Sequence, residues 1–93
     1  MAIRNRVYYG GQVQGVGFRY TVLRSAHRFR VTGFVRNLRD GRVELLVEGT
    51  EDDVAGLLAD IDRHMAAYIE RKEVLPEPPT GEHRDFRIAF DRD

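Results

Sequence analysis

Hydrophobic and polar positions alternate at the start of the chain. Ile3, Val7 and Tyr9 share one parity and have polar residues between them, which is the period-two pattern of a half-buried strand. We expect this strand to end at the glycine pair 10–11. Over residues 20–30 the apolar positions recur at i, i+4 and i+7, which predicts an amphipathic helix.

Two apolar, β-branched runs follow, "VTGFVRNL" at 31–38 and "RVELLVEG" at 42–49. Asp40 and Gly41 lie between them, and an Asp-Gly turn between such runs predicts an antiparallel hairpin. Thr50 with Asp53 three residues later resembles a helix capping box. The apolar residues behind it keep helical spacing, so we expect a second helix that ends at about 64–67.

The last part of the chain has shorter patterns. Residues 68–75 predict a fourth strand, and the charged "ERKE" within it indicates a solvent-facing edge. "PEPPTGEH" should interrupt regular structure, "DFRIAF" predicts a short fifth strand, and "DRD" a frayed end. The order β-α-β-β-α-β with a terminal strand predicts an α+β, ferredoxin-like split βαβ fold with two helices on one face of a mainly antiparallel sheet. We expect residues 1–93 to form a single domain.

Composition narrows the function classes. The 15 basic and 15 acidic residues give a net charge of zero, so we expect no nucleic-acid partner. RNA recognition motifs share this element order, but the third predicted strand lacks their spaced aromatics. The absence of cysteine excludes thiolate chemistry and disulfides. No segment is apolar enough for a signal peptide or membrane span, so we expect a cytoplasmic protein with no membrane partner.

The stretch "GGQVQGVGFRY", residues 10–20, carries four glycines and one arginine between a predicted strand and a predicted helix. It lacks the lysine of a Walker loop and the third glycine of a Rossmann fingerprint. Glycines at such a junction let successive N–H groups converge on an anion at a helix N-terminus. The amides that would do so are those of Gly15, Val16, Gly17, Phe18 and Arg19.

Arg19 stands at the predicted helix entrance, where its guanidinium can bind two phosphate oxygens in parallel. The stretch therefore fits a small phosphoryl group. Ordinary turn chemistry with a solvated arginine remains the alternative that these residues alone leave open.

Asn37 lies near the end of the second predicted strand, shortly before the tight turn. An asparagine there commonly makes a local side-chain turn. In a split βαβ fold, however, the second strand's partner lies beside the first strand, so a neutral amide at 37 could face the anion pocket. The three histidines have no metal-ligand spacing, and we expect no metal site. They are His27, His64 and His83.

The segments "GQVQGVGFR" (11–19) and "GFVRNLRDGRVELLVEG" (33–49) resemble the two signature segments of the acylphosphatase family, in the same order. The resemblance extends over essentially the whole chain, including "EPPTGE" and "FRIAF". It implies an enzyme that hydrolyses the carboxyl–phosphate anhydride of small-molecule acyl phosphates without metal or cofactor. By the same resemblance Arg19 matches the substrate-binding arginine, Asn37 the water-orienting asparagine, and residues 15–18 the backbone phosphate cradle.

Some positions depart from the family pattern. Tyr9 stands where a small aliphatic residue is usual, and Lys72 where an apolar one is usual. Residues 91–93 extend past the usual end, which leaves open the carboxylate that approaches Arg19. A module that binds phosphate or carbamoyl phosphate without catalysis is the second interpretation, because similar domains begin the large hydrogenase-maturation carbamoyltransferases. We expect a monomer.

Overall fold

Five strands form one mixed sheet in the computed structural model, which describes residues 1–90. The predicted frayed end, 91–93, lies outside the described residues. The elements in chain order are β1 (Ala2–Gly11), α1 (Phe18–Ala26), β2 (Val31–Asn37), β3 (Val43–Thr50), α2 (Glu51–Met65), β4 (Ile69–Glu77) and β5 (Phe86–Ile88). The sheet order is β4-β1-β3-β2-β5, with β2 and β5 parallel and the other neighbours antiparallel. This arrangement confirms the predicted ferredoxin-like fold.

The core lies between the sheet and the two helices. Val7 and Tyr9 of β1 are fully buried against residues such as Val22 of α1 and Leu57 of α2. Each fully buried side chain of this size contributes roughly 1.5–3 kcal/mol by leaving water. The Tyr9 ring lies 5.1 Å from the ring of Phe18 and so fixes the start of α1 against the sheet. Burial raises the pKa of the Tyr9 hydroxyl, which has no hydrogen-bond partner among residues 1–90.

The first helix differs from its prediction at both ends, because it begins at Phe18 rather than residue 20 and ends at Ala26 rather than residue 30. After Ala26 the main chain tightens: Arg28 N–H donates to the Ser25 carbonyl (3.0 Å) and Phe29 N–H to that of Ala26 (3.1 Å). These shorter turns carry the Phe29 ring onto Gly56 of α2. Phe29 thus fits the helical period but packs from a turn.

The hairpin and the second helix follow their predictions. Leu38 N–H donates to the Arg42 carbonyl at 2.8 Å and closes the turn between β2 and β3. The Thr50 hydroxyl accepts the N–H of Asp53 at 3.1 Å and caps α2. The helix then ends at Met65, inside the predicted range.

The two edge strands have different bounds from those predicted. β4 lies at the edge of the sheet, as predicted, but runs to Glu77 rather than residue 75. Pro76 is tolerated in it because an edge strand needs hydrogen bonds on one side only. At the opposite edge β5 is limited to Phe86–Ile88, a shorter strand than the predicted 85–90.

The sheet face away from the helices carries a network of ion pairs. Arg4, only 8% exposed, donates from its guanidinium to the Glu82 carboxylate and the Thr80 hydroxyl, each at 2.6 Å. The Glu48 carboxylate accepts the N–H groups of Thr80 (3.1 Å) and Gly81 (2.8 Å). These bonds hold segment 80–82 onto the sheet, and the buried cation is satisfied by nearby carboxylates.

The side chain of Gln14 joins the loop after β1 to the β2–β3 turn. Its Nε2 donates to the carbonyl of Leu38 at 2.8 Å and to that of Arg42 at 2.9 Å. The two carbonyls belong to the two sides of the turn. Gln14 therefore fixes the glycine-rich loop relative to the end of β2.

The ion pairs of segment 80–82 predict an acid-sensitive stability. The Arg4 guanidinium, followed by the Thr80 hydroxyl, lowers the pKa of the Glu82 carboxyl. A folded-state pKa below the unfolded value of about 4.3 gives stability that is present above that pH and lost as pH falls through the folded pKa. We expect Arg4→Gln to lower the urea midpoint at pH 6 and to reduce its fall towards pH 3.

The matched control is Arg71→Gln, since the Arg71–Glu70 pair is exposed and 3.8 Å long. That variant should keep the wild-type pH profile. Equal profiles for Arg4→Gln and the wild type would contradict the role of Arg4.

The Gln14 contacts predict a loss of stability on truncation. Gln14→Ala removes two hydrogen bonds and should lower the free energy of unfolding by about 1–3 kcal/mol. Gln12→Ala, an exposed glutamine two positions earlier, should stay within about 0.5 kcal/mol of the wild type. Urea unfolding of both variants measures the difference, and equal effects would contradict the anchoring role.

Candidate functional site

A cavity of about 110 Å³ opens between the loop after β1, the start of α1 and the end of β2. A larger groove of about 410 Å³ lies along α1 and His64, but none of the residues predicted to bind phosphate lines it. Most of the residues predicted to form the phosphate site line the smaller cavity. It is lined by Val13, Gly15, Gly17, Phe18, Arg19, Tyr20 and Asn37.

The two lining glycines have a backbone conformation that other residues rarely adopt. Gly15 has a φ of 79° and Gly17 a φ of 77°, both in the left-handed region. A Cβ at either position would meet no atom within 4 Å, so the backbone angle and not crowding requires glycine there. This path turns the chain from β1 into the start of α1.

The N-terminus of α1 lacks the capping groups that α2 has. Gly17 is its N-cap, with no side-chain cap, and its first turn has no acidic residue. In contrast, α2 has the Thr50 cap and three carboxylates in its first turn. The first N–H groups of a helix have no acceptor within it, and the helix dipole makes this end positive. The cavity at α1 is therefore a suitable place for an anion.

Arg19 lies in the first turn of α1 and lines the same cavity. Its neighbour Phe18 is 2% exposed and packs on Tyr9, so the helix start cannot turn freely. Arg19 and the start of α1 therefore lie at one small cavity.

Asn37 is the last residue of β2. It lines the cavity together with residues of the loop after β1 and of the start of α1. Its Oδ1 is buried and has no hydrogen-bond partner within residues 1–90. Leaving such an acceptor without a donor costs about 1–3 kcal/mol. The local turn is closed by Asp40, whose Oδ1 accepts the N–H of Arg42 at 3.0 Å.

The structure thus brings most of the predicted site residues together. Val16 does not line the cavity, and the role predicted for its backbone amide stays a prediction. The contacts of Gln14 and the position of Tyr20 at the cavity are not predicted by the sequence, since neither residue belongs to a spacing pattern. Gln14 follows Val13, an apolar residue that the structure buries, and no sequence motif indicates the hydrogen bonds of the Gln14 side chain.

The residues lining the cavity whose side chains can form hydrogen bonds are Arg19, Tyr20 and Asn37. No carboxylate or imidazole lines it in the described part of the chain. Over residues 1–90, no three His, Asp or Glu side chains gather closely enough to hold a metal ion. Neither helix in that range has the length and apolar character to cross a membrane.

The chain is similar to known proteins over nearly its whole length. The acylphosphatase family model matches residues 5–88. The acylphosphatase of Syntrophus aciditrophicus is 44% identical over 92 residues, which are 98% of this chain and 96% of that protein. The crystal structure of acylphosphatase from Bacillus subtilis is similar with a TM-score of 0.84 and 31% identity, covering 96% of this chain and 99% of that one.

A segment of a much longer protein is also similar. T. kodakarensis HypF matches all of this chain with a TM-score of 0.82 and 35% identity, although the match covers only 12% of HypF. Because the family model and the Syntrophus relative match nearly the whole of its length, the chain belongs to the acylphosphatase family, a family of hydrolases.

Proposed function

We propose that the protein hydrolyses the carboxyl–phosphate anhydride of acyl phosphates to a carboxylate and inorganic phosphate. One observation carries the proposal. The uncapped start of α1, Arg19 and Asn37 line a single small cavity. Membership of the acylphosphatase family supports the same reaction.

The phosphoryl group would bind to the amides at residues 15–19 and to the Arg19 guanidinium. Phosphoryl transfer passes through a loose transition state whose charge lies on the equatorial oxygens, so catalysis depends mainly on positioning and electrostatics. Each well-placed donor can stabilise such charge by roughly 3–4 kcal/mol. These donors are held by the helix and by left-handed glycines, which reduces the reorganisation needed during the reaction.

Asn37 would position the attacking water. Its Oδ1 accepts a hydrogen bond from the water and holds it in line with the bond that breaks, but an amide cannot remove the proton. The phosphoryl oxygens accept that proton in this mechanism. The departing carboxylate is a weak base and needs no general acid, which fits a cavity lined by no carboxylate or histidine over residues 1–90.

A second candidate function is binding without hydrolysis. The similarity to a segment of HypF favours it, because there an equivalent fold forms a small part of a longer chain. Release of phosphate by the isolated chain separates the two candidates, since a binding module would saturate with acyl phosphate and leave it intact.

We expect the purified chain to release phosphate from benzoyl phosphate and acetyl phosphate in excess EDTA. Arg19→Ala should lower kcat and raise KM, reducing kcat/KM by at least about 100-fold, because a donor to the transition state is lost. Arg19→Lys should also be strongly impaired, since a point charge cannot supply two fixed parallel donors.

The matched control is Arg87→Ala on β5, where the arginine is exposed and pairs with Asp85. It should keep wild-type kinetics. A wild-type chain that binds but does not hydrolyse either substrate would contradict the proposed function, and near-normal activity of Arg19→Lys would contradict paired donation.

Asn37→Ala should lower kcat about 100-fold with little change in KM, because the water and not the phosphoryl group loses its partner. Asn5→Ala, which removes the other asparagine from a position outside the cavity, serves as the control. Steady-state kinetics with benzoyl phosphate measure both variants. Wild-type turnover in Asn37→Ala would show that water positioning by residue 37 is wrong.

A further inference from the structure

Tyr20 is an exposed aromatic residue at the cavity. We propose that its ring binds the acyl part of the substrate and makes the enzyme prefer flat, apolar acyl groups such as aroyl groups. This inference rests on the proposed function and adds a substrate class to it.

Among the lining residues that the structure describes, Tyr20 is the one with an exposed aromatic side chain. Tyr20 lines the cavity and is 65% exposed. The other apolar lining side chains, Val13 and Phe18, are 1% and 2% exposed and belong to the core. Among the described lining residues, Tyr20 therefore combines apolar surface with access from solvent.

The connectivity of an acyl phosphate places its acyl group near this ring. One bridging oxygen joins the phosphorus to the acyl carbon, so a phosphoryl group held in a cavity of about 110 Å³ leaves its acyl group at the mouth. In-line displacement also places the leaving carboxylate on the side opposite the attacking water, away from Asn37. Tyr20, an exposed aromatic residue that lines the cavity, offers apolar surface for this group.

A second exposed apolar side chain lies close to the cavity in the sequence. Val16 is 37% exposed and lies in the chain between the two lining glycines. A flat acyl group can stack on the Tyr20 ring, and aromatic pairs gain attraction beyond that of the area they bury. A small acyl group such as acetyl offers little surface for this contact.

The test compares kcat/KM for benzoyl phosphate with kcat/KM for acetyl phosphate. Tyr20→Ala should lower the benzoyl-to-acetyl ratio about threefold to tenfold, the range expected for one aromatic contact. Tyr20→Phe keeps the ring and should keep the ratio. Tyr68→Ala removes another exposed tyrosine, which does not line the cavity, and should also keep it.

A second measurement does not depend on turnover. Phenylphosphonate and methylphosphonate are stable analogues, and Tyr20→Ala should weaken competitive inhibition by the phenyl compound more than by the methyl compound. An unchanged benzoyl-to-acetyl ratio in Tyr20→Ala, or an equal fall in Tyr68→Ala, would overturn the proposal. Failure of the wild type to hydrolyse either substrate would instead contradict the proposed function.

Discussion

The site depends on main-chain N–H groups that the helix cannot satisfy by itself. Every helix begins with such donors, and α2 meets them with Thr50 and carboxylates, whereas α1 begins at a left-handed glycine without a side-chain cap. The start of α1 therefore suits an external anion. In the proposed function the reactive centre is built largely from backbone, which would explain how a chain of 93 residues can hold one.

Placing a neutral amide beside these donors is the task of the sheet. The antiparallel pairing of β2 with β3, and of β3 with β1, brings the end of β2 to the end of the sheet where the glycine loop leaves β1. Gln14 then joins this loop to both sides of the β2–β3 turn. The distance between Asn37 and the start of α1 is therefore set by rigid elements, as catalysis by positioning requires.

The far face of the sheet shows that zero net charge does not mean an absence of strong local charge. Glu44 is 3% exposed and is bound by Arg6 and Arg36, while Arg4 is buried beside Glu77 and Glu82. On this face each of these arginines lies against a carboxylate, so the buried charges are paired. The cavity beside α1 lies outside this network. Among the described residues, no carboxylate lines it.

The order of the elements, the hairpin, the cap of α2 and the glycine-rich junction can be predicted from the sequence, because periodicity, turn residues and caps act between residues close in the chain. Tertiary packing sets the end of α1, since Phe29 fits the helical period but packs on Gly56. The tertiary structure alone also decided that Pro76 stays in β4, that Gln14 anchors the loop and that Tyr20 lines the cavity. These features depend on partners far away in the chain, which no local pattern encodes.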